Sequence, residues 1–301
     1  MDSPTSSTPT IEIAQAPGTW AGLAAVLKAS RKRPGRIESL PPVCYLRPAV
    51  KLDAANIATY AKVCSYQPEH GVPLLYPQML TFPLAMAYFA SQYCPWPAMG
   101  TVHLANRVQQ HAPLHVGDVL RVEMRPGLLL AHEKGQVFSL EFQIWKDQTL
   151  VWEATQTLLR LGVPNPSGLP YVSALHHAQS LSVQTSFMAD AGIGRRYGRV
   201  SGDLNPIHLS ALSAKLFGFR RAIAHGMWTQ ARALAAMLPR QALAQTEVLV
   251  EFKTPLYLPS RATLWSTSAV AGPLPHNALF EVRNAKGDKP HLRASLSYSQ
   301  S

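Results

Sequence analysis

The sequence predicts an α+β fold, mostly antiparallel, used twice in one chain. Three observations predict it. Short segments of the first half recur in the same order in the second. In each half one apolar helix precedes a run of consecutive strands, which argues against βαβ alternation. A break rich in Pro, Gly and polar residues (Gly162-Val163-Pro164-Asn165-Pro166-Ser167-Gly168-Leu169-Pro170) separates the halves. The 301 residues accommodate two domains of about 150 residues.

Taken in order, residues 1–10 read as a disordered start to a lead covering residues 1–39. Residues 20–30 are expected to form a short helix with Thr19 at its N-cap. Arg31-Lys32-Arg33-Pro34-Gly35-Arg36 is a basic loop, read as a solvated linker or a localisation signal. The repeat then begins. Tyr60-Ala61-Lys62-Val63-Cys64 matches Tyr197-Gly198-Arg199-Val200-Ser201, and Tyr76-Pro77-Gln78-Met79-Leu80 matches Ala224-His225-Gly226-Met227-Trp228. Ala112-Pro113-Leu114-His115-Val116-Gly117-Asp118 matches Thr254-Pro255-Leu256-Tyr257-Leu258-Pro259-Ser260. In each half a strand and an irregular segment lead into the long helix, residues 80–92 and 227–238. Strands follow at 101–110, 119–125, 136–146 and 150–161, and again at 247–253, 262–270, 278–284 and 291–298. The stretch from Val137 to Trp145 alternates apolar and polar residues, as a sheet with one covered face requires.

Composition narrows the class. Hydrophobic types make up 47% and charged types 15% of the chain, which excludes a disordered protein. No apolar stretch approaches the ~18–20 residues of a membrane helix, and the lead lacks the order of a secretory signal. Three cysteines without metal-type spacing (Cys44, Cys64, Cys94) fit a reducing, cytoplasmic setting. The net charge of +11 attracts anions of several kinds. No finger, RNP-type pattern or basic arm supports nucleic acid as the partner.

The chemistry concentrates in Ser201-Gly202-Asp203-Leu204-Asn205-Pro206-Ile207-His208. Asn205 suits an N-cap and Pro206 the first helical position, which puts His208 in the first turn of a helix expected to run to Leu216. The positive helix end disfavours an imidazolium there, and a neutral His is what a general base requires. Asp203, beside the flexible Gly202, can face the same space, so the two hold and polarise one water. Downstream, Ala224-His225-Gly226-Met227 opens an apolar helix whose free N–H groups suit a carbonyl oxygen gaining negative charge. His225 either contacts substrate or holds the loop by a hydrogen bond. Arg195, Arg196, Arg199, Arg220 and Arg221 flank both segments, as phosphate contacts or as a solvated basic face. His103, His111, His115, His132, His176 and His177 have no ligand spacing supported by Cys or carboxylates and are read as structural. No nucleophile elbow supports a serine hydrolase.

These residues, Ser201 to His208 followed by Ala224-His225-Gly226-Met227, resemble the signature of the MaoC-like, (R)-specific enoyl-thioester hydratases, also called hydratase 2. The likeness covers about residues 197–238 and, through the repeat, extends over 40–301, as in double-hotdog members. It implies two antiparallel sheets, each wrapped around a long helix and packed as a pseudo-dimer. Residues 40–162 would form a degenerate hotdog, 163–170 a linker and 171–301 the catalytic hotdog. It implies Asp203 and His208 as the catalytic pair, the Gly226 N–H as the thioester-oxygen donor and Asn205 as the residue shaping the turn. The implied reaction is reversible syn hydration of trans-2-enoyl thioesters to (3R)-3-hydroxyacyl thioesters. CoA or acyl carrier protein carries the substrate, no metal or redox cofactor is needed, and a homodimer is open. An acyl-thioesterase on the same scaffold and a non-catalytic acyl-CoA binder are the alternatives.

The first half departs from the pattern. Tyr60 to Gln78 spans 18 residues and Tyr197 to Gly226 spans 29, so the first repeat is eleven residues shorter. The motif helix is expected to be the missing part. Ser65-Tyr66-Gln67-Pro68-Glu69-His70-Gly71 stands where the second half has Asp203 and His208, and reads as non-catalytic. The small residues of Leu84-Ala85-Met86-Ala87-Tyr88-Phe89-Ala90 line an acyl tunnel or make ordinary core contacts.

Overall fold

The computed structural model describes residues 8–14, 32, 35–177, 180–267 and 276–299. The helix expected at residues 20–30, its cap Thr19, and Arg31, Arg33 and Pro34 lie outside the described residues. In chain order the elements are β1 (Thr10–Glu12), β2 (Cys44–Lys51), α1 (Ala54–Cys64), α2 (Pro77–Ala90), β3 (Thr101–Gln110), β4 (Val119–His132), β5 (Gly135–Lys146) and β6 (Thr149–Leu161). They continue with β7 (Leu169–Pro170), β8 (Ser182–Ala189), α3 (Ile193–Ser201), α4 (Ala211–Lys215), α5 (Gly226–Met237), β9 (Gln245–Phe252), β10 (Ser260–Ser266), β11 (His276–Asn284) and β12 (Pro290–Ser299). Two short 3₁₀ turns, Pro68–His70 and Pro206–His208, stand before α2 and α4.

The chain forms two compact units. The first gathers the described residues up to Val50 with Leu80–Val102 and Val119–Val172; the second gathers Lys51–Met79, His103–Asp118 and the described residues from Ser173 onward. In the first unit the strand order is β1-β2-β4-β5-β6, with β7 beside β4. The long antiparallel ladders β4/β5 and β5/β6 dominate it. Helix α2 lies on this sheet: Tyr88 meets Tyr45 of β2 edge-on at 6.2 Å, and Phe89 meets Phe138 of β5 at 6.3 Å. Leu84, Ala85, Tyr88 and Phe89 are buried as core residues. Lys32 departs from the solvated linker expected of the basic loop. Its ammonium donates to the Phe89, Ser91 and Cys94 carbonyls and closes the C-terminal end of α2.

In the second unit the order is β3-β9-β12-β11-β10-β8, antiparallel throughout. Helix α5 packs against β12, and its Trp228 meets Phe187 of β8 at 5.9 Å. Trp228 also donates from Nε1 to the Val63 carbonyl of α1 at 3.0 Å. Helices α1 and α3 pack together, with the Tyr60 and Tyr197 rings 6.3 Å apart. Both end in a left-handed cap, Ser65 at φ 65° and Gly202 at φ 80°.

Two expectations need correction. The matched segments 60–64 and 197–201 are not irregular: they are the C-terminal turns of α1 and α3. Helix α3 carries Gly194 and Gly198, weak helix formers, and holds together by burying one face: Ile193, Gly194, Tyr197, Gly198 and Ser201. The motif helix is also not missing as a whole from the first half. The 3₁₀ turn Pro68–His70 follows the cap of α1 as Pro206–His208 follows the cap of α3. Gln67 and His70 therefore stand where Asn205 and His208 stand, Tyr66 follows the cap where Asp203 does, and only a counterpart of α4 is absent.

Candidate active site

The site is built on three segments of the second unit: the loop after α3, the 3₁₀ turn and the start of α5. Gly202 takes the left-handed conformation that ends α3. The chain then turns so that the Asp203 carboxylate (Oδ1) accepts the Asn205 N–H at 3.1 Å. Asn205 caps the 3₁₀ turn, its Oδ1 accepting the Ile207 N–H at 3.3 Å, with Pro206 in the first position. The expected single helix to Leu216 is instead this turn followed by α4, which starts anew at Ser210. The Ser210 hydroxyl caps the second piece, accepting the Ser213 N–H at 3.0 Å.

His208 is buried, and its Nδ1 lies 2.8 Å from the Ile223 carbonyl oxygen. A carbonyl only accepts, so Nδ1 carries the proton and Nε2 presents a lone pair. Burial lowers the pKa of the imidazole from its ordinary value, against the opposing pull of Asp203 and of the Ile223 hydrogen bond. His208 is therefore neutral near pH 7, with its basic nitrogen free.

His225 is the N-cap of α5, and its ring stacks on His208 with centroids 3.7 Å apart and planes 27° from parallel. Its Nε2–H donates to the Asp203 backbone carbonyl at 3.0 Å and lies 3.7 Å from the Asp203 carboxylate. Burial, reinforced by His208, pushes its pKa down to about 3. Of the two readings for His225, the loop-holding hydrogen bond is the one present. Asp203 is the member open to solvent, its side chain 34% exposed.

One donor atom each from Asp203, His208 and His225 lie within 4.8 Å of one another. One water making two hydrogen bonds spans that distance. Among the described residues the same trio is also a donor set within metal-ligating reach.

Gly226 opens α5, so its N–H and the next ones have no intrahelical acceptor. A Cβ at Gly226 would stand 2.8 Å from Phe252 Cε1, so no larger residue fits without displacing that ring. Two further glycines matter that sequence reading passed over. A Cβ on Gly194 would stand 2.0 Å from the His208 carbonyl oxygen, and one on Gly198 2.8 Å from that of Asp203. Spaced four apart, they form the face on which α3 lies against the loop carrying Asp203 and His208. The signal was in the sequence as Gly-x-x-x-Gly just before the motif. His103, read as structural from the sequence, lies in electrostatic reach of Asp203.

The five arginines separate. Arg196 pairs through both terminal nitrogens with Asp190, whose carboxyl it holds below the ordinary value. Arg195 donates to the Leu209 carbonyl at 2.9 Å. Arg220 and Arg221 lie over the Tyr257 ring at 4.6 and 5.7 Å, and Arg199 is exposed. A cavity of about 280 Å³ at the ends of β3, β9 and β12, lined by residues such as Gln110, Thr246 and Tyr298, holds none of the motif residues.

Comparison with known proteins identifies the family of the chain. The family model described as "MaoC like domain" matches residues 179–263. Over 261 residues the chain is 32% identical to 3-hydroxyacyl-thioester dehydratase X of Mycobacterium tuberculosis, covering 87% of this chain and 91% of that one. The chain belongs to the MaoC-like dehydratase family. The crystal structure of HtdX from M. tuberculosis superposes on this MaoC-like chain with a TM-score of 0.69, at 30% identity, over 84% of this chain and 98% of that one. A further M. tuberculosis protein, described as having a double hotdog fold, superposes at 0.55 with 14% identity, over 84% and 94%. The MaoC-like chain has the double-hotdog fold that the resemblance implied.

Proposed function

We infer that this MaoC-like protein is a hydro-lyase interconverting trans-2-enoyl thioesters and (3R)-3-hydroxyacyl thioesters. One observation carries the inference: a neutral His208 with a free Nε2, its ring within one water's span of the Asp203 carboxylate, close in sequence to the open N-terminus of α5. The thioester oxygen sits on the Gly226 N–H. That polarisation draws electrons from C3, where the water oxygen attacks. The Asp203/His208 pair takes one proton from the water and returns one to C2. Because both groups stand on one side, addition is syn. The relative named a 3-hydroxyacyl-thioester dehydratase supports the same reading.

In this reading the carrier is CoA or acyl carrier protein. Arg199, Arg220 and Arg221 are the phosphate contacts to examine first, since Arg196 is engaged by Asp190. No resident metal is required by the proton bookkeeping. Three buried thiols fit a reducing cytoplasm, and no helix among the described residues is long and apolar enough to cross a membrane.

The test is loss of enoyl absorbance on crotonyl- and longer enoyl-CoA and on the carrier-protein thioesters, with chiral analysis of the product. Formation of the (3R)-hydroxyacyl thioester supports the reading. Release of free thiol without hydration would replace it with a thioesterase, and binding without turnover with an acyl-CoA binder.

A further inference from the structure

We propose that His103 is a positioning residue of this reaction: its Nε2 accepts a hydrogen bond from an O–H group held on the Asp203 carboxylate. That group is a water in the free enzyme and the reacting water or 3-hydroxyl in the complex. The inference rests on the hydratase reading above. It adds an imidazole from β3, outside the sequence motif, to the pair the motif supplies.

Four observations converge on His103. Its ring packs on Phe252 with centroids 4.9 Å apart, and Phe252 is the side chain whose edge adjoins Gly226 at the start of α5. This puts His103 on the side of the site where the thioester oxygen is received. One ring N–H donates to the Ala105 carbonyl, which leaves Nε2 as the nitrogen bearing the lone pair. That Nε2 is shielded from solvent and has no hydrogen-bond partner among the described residues. A buried acceptor without a donor costs about 1–3 kcal/mol and calls for a water or ligand that supplies one. Finally, the Asp203 carboxylate is close enough to act on the charge of His103.

The tautomer matches that of His208, whose Nδ1–H is also spent on a backbone carbonyl. Burial lowers the His103 pKa to about 4, so the ring stays a neutral acceptor near pH 7. The reacting oxygen carries two hydrogens while it is water. Only one is transferred; the other remains on the product hydroxyl. His103 receives the hydrogen bond of that retained O–H, and no bond to His103 forms or breaks. Its effect is to orient the oxygen lone pair toward C3.

The experiment compares His103→Phe, which keeps a ring against Phe252 without the acceptor, with His103→Gln, which returns an acceptor near the Nε2 position. Steady-state hydration of an enoyl-CoA is measured for both beside the wild type, with thermal melting as the folding check. The expected result is a kcat lowered about tenfold or more in His103→Phe, with KM within about twofold, and substantial recovery of kcat in His103→Gln. A His103→Phe enzyme that turns over at the wild-type rate overturns the proposal. So does a loss that Gln fails to recover, or one that appears in KM alone. Should the Phe variant fail to fold, His103→Leu against His103→Gln carries the same comparison. An inert wild type refutes the hydratase reading itself; an active wild type with an indifferent His103→Phe refutes this inference alone.

Discussion

His208 shows how a single side chain is prepared for one role. The Ile223 carbonyl selects the tautomer and burial removes the charge. His225 stacks on its face, itself kept neutral. Removing the nitrogen or the carboxylate, by His208→Ala or Asp203→Asn, is expected to lower kcat about 10²–10⁴-fold, with melting temperature little changed for Asp203→Asn because that side chain is partly exposed. In the proposed reaction, hydration needs the unprotonated His208. Since its folded pKa lies below 6.5, the acid limb of kcat/KM for hydration is expected below that value. A limb centred at 6.5 or above would contradict the buried, neutral imidazole. These roles were legible only in part. Asp203, Asn205 and His208 stand in one contiguous pattern, and Gly226 opens the long helix that follows it. His103, a hundred residues earlier in a strand, carries no local signal of where its ring ends up.

At the scale of elements, α3 is the support that holds the loop carrying Asp203 and His208. Its two glycines admit the backbone of His208 and Asp203 to within contact distance. Gly194→Ala drives a Cβ against a backbone carbonyl, which cannot swing aside. We expect about 1–3 kcal/mol of destabilisation and a kcat loss near 10²-fold as His208 shifts. Gly198→Ala, with its contact at 2.8 Å, is expected to do less of both. Urea unfolding and steady-state rates of the two variants check the order; equal, negligible effects would remove α3 from this account. The strands were legible because alternation is a property of neighbouring residues: β3, β5 and β6 fall within a residue of their expected limits. Helices α1 and α3 were not, because a segment of mixed polarity, in α3 one that also carries two glycines, becomes a helix only when another surface covers one face. Strand β8 was missed for a similar reason. It is an edge strand, largely exposed, held by its ladder to β10.

Across the whole molecule, buried neutral histidines couple folding to pH. His103, His208 and His225 all have folded pKa values below the ordinary 6.5, those of His103 and His225 at about 4 and 3. Below pH 6.5 the unfolded chain binds protons that the folded chain refuses. Their contribution to stability is therefore present above 6.5 and lost as pH falls toward the folded values. Each contributes a slope of up to about 1.4 kcal/mol per pH unit. Urea unfolding should give a flat stability between pH 8 and 7 and a steep fall from 6 to 5. Equal stability at pH 7 and 5 would show that these rings are not buried and neutral.

The amino-acid order by itself determined the twofold use of one fold, the strands that follow each long helix and the motif that carries Asp203 and His208, because these depend on periodicity and on spacing along a single segment. Only the tertiary structure decided that His70 occupies the position of His208 in a half without its aspartate, that Lys32 closes a helix rather than meeting solvent, and that His103 comes within electrostatic reach of Asp203. Each is a meeting of residues distant in the chain, and burial and hydrogen-bond demand, which act in space, decide such meetings.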